Sequence, residues 1–274
     1  MTDQAERYDR IAAGYARWWA PVIAPAALTV LDEIQPAVAA GAASILDVGT
    51  GTGTLALAAL RRWPGVRVTA IDVSAGMVEM AGAEADRLLS PSQRARLELR
   101  VAAADDLRLP DASIDVAISS FVLQLVPNRA RALREVRRVL VRGGTFAWVS
   151  WLTREGEPWL PDDDFDDALE EVGEEPRGWD GPRDDIPDPA AAAAQMRRAG
   201  FGDVHATADE LVHPFTVDEY VAFMGEFDEE DLVSHLEPDV RARFDAALRR
   251  RLGRRTPDEM ALRHRTVRVR GRRT

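Results

Sequence analysis

The sequence predicts an α/β fold with a doubly wound, mostly parallel sheet and helices on both of its faces. Short apolar runs alternate with segments of helical spacing between residues 45 and 151, and a glycine-rich segment follows the first of these runs. Hydrophobic residues make up 46% of the chain, which is enough for an ordinary globular core. Such alternation gives right-handed crossovers, and ligands of these sheets bind at the carboxyl ends of the strands.

Five segments in this region have the pattern of strands: 45–49, 66–72, 97–103, 114–121 and 145–151. The first is a continuous apolar run that stops at glycine, which is typical of a buried parallel strand. Three segments between these strands have helical spacing, namely 55–63, 74–89 and 129–141. Pro64 closes the first of these helices, and Ser74 is placed as the N-cap of the second. We assign residues 45–151 to a ligand-binding core.

The flanking regions add helices and two further strands. Residues 6–19 and 26–41 have helical spacing, and we predict that residues 1–44 form a helical lid. Residues 152–274 are predicted to supply an acidic insertion, cap helices and C-terminal strands of the same domain. The insertion, 153–189, is rich in Asp, Glu, Pro and Gly, which indicates a surface segment that is partly mobile and acts as a lid.

Two C-terminal segments, 204–211 and 262–270, complete the predicted sheet. The second alternates like a strand, and an antiparallel last strand would give a mixed sheet of seven strands. Helices are expected beside them at 189–200, 216–227 and 238–252.

Composition excludes several classes of function. The chain has no cysteine, which excludes disulfides, thiolate catalysis and cysteine metal sites, and its four histidines form no close ligand pair. Every basic residue is arginine, which excludes a Schiff-base lysine and a phosphate-loop lysine. The net charge of −11 disfavours nucleic acid as a partner. We therefore expect no metal, a small-molecule substrate, and a monomer or homodimer.

No apolar run approaches the ~20 residues that span a bilayer. The longest early uncharged run, 18–31, contains Pro21 and Pro25, and the first ten residues mix acids and bases rather than forming a signal peptide. These observations predict a soluble, cytoplasmic protein without a membrane partner.

Residues 47–53, DVGTGTG, are the predicted centre of the site. Glycines permit a sharp turn and the close approach of a ligand, and the helix that follows supplies free N–H donors. The spacing is G-x-G-x-G rather than the G-x-G-x-x-G of dinucleotide sites, and Asp47 stands two positions before the first glycine. A carboxylate at that position favours an ammonium or sulfonium group over a diphosphate.

Two further segments are placed around the predicted ligand. Asp72 ends the second strand, ~20 residues beyond the glycine loop, where a carboxylate accepts hydrogen bonds from ribose hydroxyls. Val73 and Met77 follow it and are placed to flank an adenine ring. Residues 102–115, AAADDLRLPDASID, begin on the other side of that ring. The fourth strand ends at 119–121, near the reacting end of the ligand.

Four motifs in this order, DVGTGTG, AIDVSAGM, LPDASIDVAISSFVLQLV and VLVRGG, carry a resemblance to a known family. Together they resemble the class I S-adenosylmethionine-dependent methyltransferases of the ubiquinone/menaquinone-biosynthesis type, over residues 8–151 and weakly over 195–204. The resemblance implies a Rossmann-like fold, S-adenosylmethionine as cofactor and S-adenosylhomocysteine as product. It implies methyl transfer to an oxygen, nitrogen or carbon atom of a small molecule, such as a secondary metabolite.

The resemblance also assigns roles to individual residues. Those expected to contact the cofactor are Tyr15, Asp47, Gly49, Thr50, Gly51, Asp72, Val73, Met77, Ala104, Asp105 and Ser119. Gly49 and Gly51, with Asp47 nearby, would hold the methionine end. Asp72 would bind the ribose, and Tyr15 would close over the cofactor. Two departures stand out, since the family often has aspartate at the position of Ala103 and histidine at the position of Gln124.

Catalysis of methyl transfer mainly requires alignment of the nucleophile, the methyl group and the sulfur, and positioning alone supplies ~7–11 kcal/mol. The sequence offers Tyr8, Gln124 and His213 as candidates for a catalytic group. The residues expected to line the substrate cavity are Tyr8, Trp19, Gln124 and Trp151.

Three alternatives stay open. The C-terminal arginines, 249–255 and 263–273, would serve an RNA methyltransferase if they formed a basic patch. A non-catalytic protein or a cyclase on the same fold would bind the cofactor without transferring its methyl group. An NAD-type oxidoreductase is opposed by the glycine spacing.

Overall fold

The structure is a computed structural model that describes residues 3–153, 159–176 and 186–274. Within these ranges seven strands form one sheet in the order β3-β2-β1-β4-β5-β7-β6. The strands are β1 (Ser44–Val48), β2 (Arg67–Asp72), β3 (Leu97–Val101), β4 (Ile114–Ser120), β5 (Leu140–Trp151), β6 (Phe201–Pro214) and β7 (Ala261–Arg273). Strands β1 to β5 are parallel, and β7 is antiparallel to both of its neighbours. The predicted doubly wound mixed sheet is confirmed, including its antiparallel last strand.

Helices cover both faces of the sheet. In the described residues they are α1 (Asp3–Gly14), α2 (Ala20–Ala39), α3 (Thr54–Arg62), α4 (Ala75–Leu88), α5 (Pro91–Arg94), α6 (Arg129–Val139), α7 (Leu160–Val172), α8 (Pro189–Arg198), α9 (Val217–Phe223), α10 (Glu230–Ser234) and α11 (Pro238–Leu252). Helices α2 and α3 bury Val30 and Leu60 on one side, and α6 and α8 bury Leu133 and Met196 on the other. The core therefore consists of two apolar layers with the sheet between them.

The N-terminal region is one continuous helical rod rather than the two separate helices that the sequence predicts. A π-turn, Tyr15–Trp19, joins α1 to α2, and the N–H of Ala20 donates to the carbonyl of Tyr15. The widened turn lies next to Pro21, which lacks the N–H that an α-helix would use. Helix α2 packs on the sheet through buried residues such as Ile34. The second half of the predicted 1–44 lid is therefore part of the packed core, and a lid role for the first half stays a prediction.

By length and composition alone, the segment Glu6–Ala39 is the one described helix that is apolar enough to cross a membrane. The expectation that nothing approaches a membrane span is therefore wrong for this helix. In the structure its side chains Val22, Ile23 and Leu31 are buried in the hydrophobic core, as expected of a helix packed on a sheet.

The acidic insertion contains a packed helix, α7, that the composition did not predict. Phe165 of α7 meets Phe244 of α11 edge-on, with ring centroids 5.2 Å apart. Asp164 of α7 is buried and pairs with Arg255, with an N–O distance of 2.7 Å. The irregular surface segment predicted there is wrong for residues 160–172, because apolar residues at helical spacing bury one face.

Pairing with acids accounts for much of the arginine charge in the C-terminal region. Arg250 and Arg251 of α11 both pair with Glu171 of α7. On β7, Arg268 pairs with Glu33 of α2 at 2.9 Å. The acidic insertion thus supplies counter-charges for the two arginines of α11. Its segments 154–158 and 177–185, which the lid prediction includes, lie outside the described residues.

Candidate functional site

A cavity of about 950 Å³ opens where β1, β2, β3, β4 and β5 end. Ligand sites commonly enclose ~300–1,000 Å³. The strand order reverses between β1 and β4, and doubly wound sheets bind ligands at such a switch point. We call the part that follows β1, β2 and β3 the polar end; it is lined by Gly49, Thr50, Gly51, Asp72, Val73, Met77 and residues 102–105. We call the part lined by Trp19, Phe121, Trp151, Phe227, Leu262 and His264 the aromatic end.

The glycine loop of the polar end is held from behind by Asp47. Its Oδ2 accepts a hydrogen bond from Thr50 Oγ1 at 2.7 Å and another from the N–H of Ala56 at 3.1 Å. Gly49 and Gly51 have φ values of +71° and +53°, which side-chain-bearing residues rarely adopt. A side chain at Gly49 would also overlap Val122. The loop therefore requires glycine where it borders the cavity.

Asp47 carries an acceptor without a partner. Its Oδ1 is buried and has no hydrogen-bond partner among the described residues. Burial raises the pKa of Asp47 to about 7, against the opposing effect of the hydrogen bonds from Thr50 and Ala56. Asp47 itself does not line the cavity. A positive group bound at the glycine loop would favour the ionised carboxylate, so this arrangement fits a cationic ligand.

Asp72 fastens the glycine loop to the start of α4. Its Oδ2 accepts from the N–H of Gly51 at 2.8 Å, and its Oδ1 accepts from the N–H of Ser74 at 3.0 Å. Burial raises the pKa of Asp72, and these backbone hydrogen bonds oppose the shift. The carboxylate lines the cavity, and each oxygen has a further lone pair that can accept from a ligand hydroxyl.

Helix α1 and two π-turns form the roof of the cavity. The ring of Tyr15 lies over Gly51, where an added Cβ would be 3.6 Å from Tyr15 Cε1. Tyr8 packs edge-on against Tyr15, with ring centroids 6.1 Å apart. Phe227, in the second π-turn (Met224–Asp228), packs against the same ring at 5.9 Å. Burial raises the pKa of Tyr8 to about 12, so its hydroxyl is neutral and acts poorly as the base that the sequence suggested.

The aromatic end is assembled from rings on separate elements. Phe121 and Trp151 lie 4.1 Å apart between ring centroids, and Trp151 lies 4.7 Å from His264. Trp19 of the first π-turn is 6.1 Å from Trp151 and stacks on Phe227 at 6.1 Å. These contacts join β4, β5 and β7 to the roof.

Gln124 supports the aromatic end through hydrogen bonds. Its Nε2 donates to the carbonyl of Phe121 at 2.6 Å, and its Oε1 accepts from Ser150 Oγ at 2.8 Å. Phe121 has a φ of +54°, an unusual value for a bulky residue. Gln124 lines the cavity as expected, but one end of its amide is engaged by Phe121 and the other by Ser150.

Most of the residues predicted from sequence line this cavity: Tyr8, Tyr15, Trp19, Gly49, Thr50, Gly51, Asp72, Val73, Met77, Ala104, Asp105, Gln124 and Trp151. Ser119 does not, because its hydroxyl donates to the carbonyl of Val48 at 2.7 Å within the sheet. Side chains alternate along a strand, and Ser120 lines the cavity instead. His213 on β6 packs against Phe215 at 4.6 Å and also lies outside the cavity lining.

Sequence reasoning missed several lining residues, notably Arg7, Phe121, Phe227, Asp228 and His264. The alternation of the predicted strand 262–270 placed Leu262 and His264 on one face, but it gave no sign that this face meets the ligand. The second π-turn left no recognisable trace in the sequence. Only the folded chain brings these residues to the cavity.

Comparisons with known proteins find similarity to methyltransferases. Residues 46–148 match the family model of a methyltransferase domain. The chain is 34% identical over 145 residues to a malonyl-[acyl-carrier protein] O-methyltransferase of Geobacter sulfurreducens, covering 53% of this chain and 49% of that protein. It is 38% identical over 110 residues to a ubiquinone/menaquinone biosynthesis C-methyltransferase of Geotalea daltonii. That alignment covers 40% of this chain and 46% of that protein. The chain thus spans about half the length of the curated relatives it matches.

Solved structures extend the likeness to most of the fold. The YcgJ protein of Bacillus subtilis superposes with a TM-score of 0.56 at 18% identity, covering 88% of this chain and 97% of that one. A second structure is geranyl diphosphate C-methyltransferase of Streptomyces coelicolor, in complex with Mg²⁺, geranyl diphosphate and S-adenosylhomocysteine. It superposes with a TM-score of 0.51 at 17% identity, covering 91% of this chain and 77% of that one. The fold and the polar end define a Rossmann-like α/β protein. The match of residues 46–148 to a methyltransferase domain agrees with the four motifs.

Proposed function

We propose that the protein transfers a methyl group from S-adenosylmethionine to a small molecule bound in the aromatic end. The observation that carries this proposal is one cavity with two unlike ends, of which the polar end fits the cofactor and the aromatic end leaves room for an acceptor. The matching relatives named above are methyltransferases. We also propose a cytoplasmic location, as monomer or homodimer, without a nucleic-acid or membrane partner.

The polar end would hold the cofactor through side chains of opposite character. Asp72 would accept hydrogen bonds from the ribose hydroxyls, and the buried charge of Asp47 would balance the ammonium or sulfonium group. The adenine would lie among Val73, Met77, Ala104 and Asp105. The cofactor supplies an activated methyl group when bound. The protein contributes alignment and exclusion of water, and alignment alone is worth ~7–11 kcal/mol.

The pairing of arginines with acids supports a small acceptor rather than RNA. Arg250, Arg251 and Arg268 each face a carboxylate. Affinity for a polyanion depends on cations that can neutralise phosphates, and paired arginines have lost much of that capacity. Salt-sensitive binding of RNA by the full chain would favour the RNA methyltransferase instead.

Calorimetric titration of the full chain with S-adenosylmethionine and S-adenosylhomocysteine tests the proposal. We expect saturable binding of both, and we expect Asp72→Ala to weaken it about 100-fold, because hydrogen bonds to charged groups contribute ~1.5–3 kcal/mol each. Asp86→Ala, an exposed carboxylate of α4 outside the cavity lining, is the matched control and should leave the affinity unchanged. Absence of binding in the unaltered protein would refute the proposed function, and unchanged affinity in Asp72→Ala would refute the assignment of Asp72.

A further inference from the structure

One carboxyl group of the cavity lining stands apart from the polar end. Asp228 is the last residue of the second π-turn and directly follows Phe227, and both residues line the cavity. Phe227 is one of the rings of the aromatic end. The roof therefore brings a carboxyl group to the border of the aromatic end, far in sequence from the acids that follow β2 and β3.

Asp228 has no partner among the residues that the structure describes. Neither a hydrogen bond nor an ion pair reaches its carboxyl group. Its side chain is accessible, yet burial raises its pKa, an effect that the charge of Arg7 opposes. Both observations hold for a carboxyl group that faces an enclosed cavity rather than bulk water. Such a group costs free energy until a positive group or a hydrogen-bond donor compensates it.

The cavity lining carries an excess of negative charge. In the described ranges it includes three carboxyl groups, those of Asp72, Asp105 and Asp228, and one guanidinium group, that of Arg7. Two backbone N–H groups hold Asp72, which is assigned with Asp105 to the cofactor. Arg7 acts on the charge of Asp228 without forming an ion pair with it. Asp228 is therefore the carboxyl group that is left for the acceptor.

Aromatic rings border the space beside Asp228. Phe227 stacks on Trp19 with ring centroids 6.1 Å apart, and Trp19 lies 6.1 Å from Trp151. Trp151 in turn lies 4.1 Å from Phe121. The face of an aromatic ring attracts a cation within ~6 Å of its centroid, most strongly when the ring is tryptophan and the site is desolvated. Ring faces beside an unpaired carboxyl group suit a positively charged nitrogen.

We propose that the aromatic end binds its acceptor through an ammonium group, which is held by the carboxylate of Asp228 and by the ring faces of Trp19 and Phe227. The carboxylate accepts hydrogen bonds from the N–H groups of the ammonium, and the rings cover the carbon atoms beside the nitrogen. A protonated nitrogen has no lone pair, so this group orients the acceptor and another atom receives the methyl group. This inference rests on the proposed function and names the chemical class of its acceptor.

Calorimetry with three probes, on the full chain saturated with S-adenosylhomocysteine at pH 7, tests the acceptor class. The probes share one ring system: 1-naphthylmethylamine is protonated, 1-naphthalenemethanol is neutral and 1-naphthoate is negatively charged. We expect the amine to bind about 30-fold more tightly than the alcohol, and the carboxylate to bind most weakly. Binding of the amine no tighter than that of the alcohol overturns the proposal, and so does absence of amine binding.

Asp228→Asn tests the role assigned to the carboxyl group, because it removes the charge and keeps the size of the side chain. The preference for the amine over the alcohol should fall from about 30-fold to about 3-fold, the part that the rings supply. Affinities for the alcohol and for S-adenosylhomocysteine should stay within about threefold of those of the unaltered protein. Asp239→Asn, which alters an exposed carboxylate of α11 outside the cavity lining, is the control and should keep the full preference.

Two results with Asp228→Asn would overturn the assignment of Asp228. One is an unchanged preference for the amine, which would mean that the carboxyl group does not contact it. The other is a loss of S-adenosylhomocysteine affinity as large as the loss of amine affinity, which would place Asp228 in the cofactor site. Failure of S-adenosylhomocysteine to bind to the unaltered protein would instead refute the proposed function.

Discussion

The two ends of the cavity are built in different ways. The polar end comes from residues that directly follow β1, β2 and β3, and its loop is fixed by two carboxylates, Asp47 and Asp72. The aromatic end comes from rings far apart in the chain, from Trp19 to His264, that meet only when both halves of the chain have folded. The polar end is therefore built from residues that are close in sequence, whereas the aromatic end is a property of the tertiary structure.

The two ends also differ in electrostatics. Burial raises the pKa of Asp47 and of Asp72 at the polar end, which leaves carboxyl groups whose ionised form a cationic ligand would stabilise. The aromatic end offers mainly ring faces and one imidazole, with Asp228 beside them at the roof. The difference teaches that one cavity can offer a carboxylate-bearing environment and a ring-lined environment at separate ends.

The largest effect that would sharpen this comparison concerns Asp47 and pH. Its raised pKa means that the folded protein keeps a proton which the unfolded chain loses, so its contribution to stability is complete below pH ~4 and declines as pH rises to about 7. The total is on the order of 4 kcal/mol. We compare the free energy of unfolding of Asp47→Asn with that of the unaltered protein, by urea unfolding without ligand. The difference should shift by about 2 kcal/mol in favour of Asp47→Asn when the pH is raised from 5.5 to 8.

Asp115→Asn is the matched control for this pH dependence. Burial of Asp115 is outweighed by hydrogen bonds from Ala43 and Ser44, and the pKa is lowered. Its stabilising contribution is lost only as pH falls through the lowered pKa, so the effect of Asp115→Asn should be the same at pH 5.5 and pH 8. If the effect of Asp47→Asn on the free energy of unfolding were also the same at both pH values, the raised pKa of Asp47 would be contradicted.

A smaller effect tests whether the ends are separable. Trp151→Leu removes a ring that contacts Phe121 and His264, and ring pairs contribute ~0.5–1.5 kcal/mol each. With 1-naphthol as an aromatic probe of this end, calorimetry should show its binding weakened about 10-fold and S-adenosylhomocysteine binding unchanged. Trp63→Leu, outside the cavity lining, should alter neither. A parallel loss of S-adenosylhomocysteine affinity in Trp151→Leu would mean that the two ends act as one site.

The smallest effect concerns the roof that both ends share. Gly14 is helical, and Gly→Ala in a helix is ordinarily favourable by ~1 kcal/mol. An added Cβ would, however, overlap the carbonyl oxygen of Glu226 in the second π-turn, and overpacking costs ~1–3 kcal/mol. We expect Gly14→Ala to destabilise the protein by about 1 kcal/mol in urea unfolding and to weaken both ligands slightly.

Gly82→Ala supplies the control for the roof. Its Cβ on α4 would lie 3.6 Å from Leu99 Cδ1, an ordinary contact, so the helix preference for alanine should show as stabilisation of about 1 kcal/mol. Equal stabilisation by Gly14→Ala would show that the roof is loosely packed.

Much of the fold was predictable because its core obeys local rules. The strands from β1 to β5 show apolar runs, and the helices between them carry proline, glycine or serine signals at their ends. Helix α7 was missed because its acids, which pair with Arg250, Arg251 and Arg255 in the fold, read as a solvated loop when taken alone. The composition of a segment shows how many charged residues it has, but it does not show which of them form ion pairs in the fold.

The same distinction separates the predicted from the unpredicted site residues. Gly49, Gly51 and Asp72 were identified because backbone conformation and a strand end fix their positions within a few residues. The site residue on β4 was predicted one position too early, at Ser119. The sequence of a strand does not tell which of its two faces meets the cavity, and in the fold the Ser119 side chain points into the sheet. His264 was passed over because no short-range signal connects β7 to the carboxyl ends of β4 and β5.

The sequence by itself determined the order of strands and helices in the core, the glycine loop and the two carboxylates beside it. These features depend on hydrophobic period and backbone geometry over short stretches. The tertiary structure alone decided the continuous N-terminal rod, the packing of α7 and the ring-lined chamber with His264. Those features arise from contacts between distant segments, whose free energy depends on which surfaces become buried together.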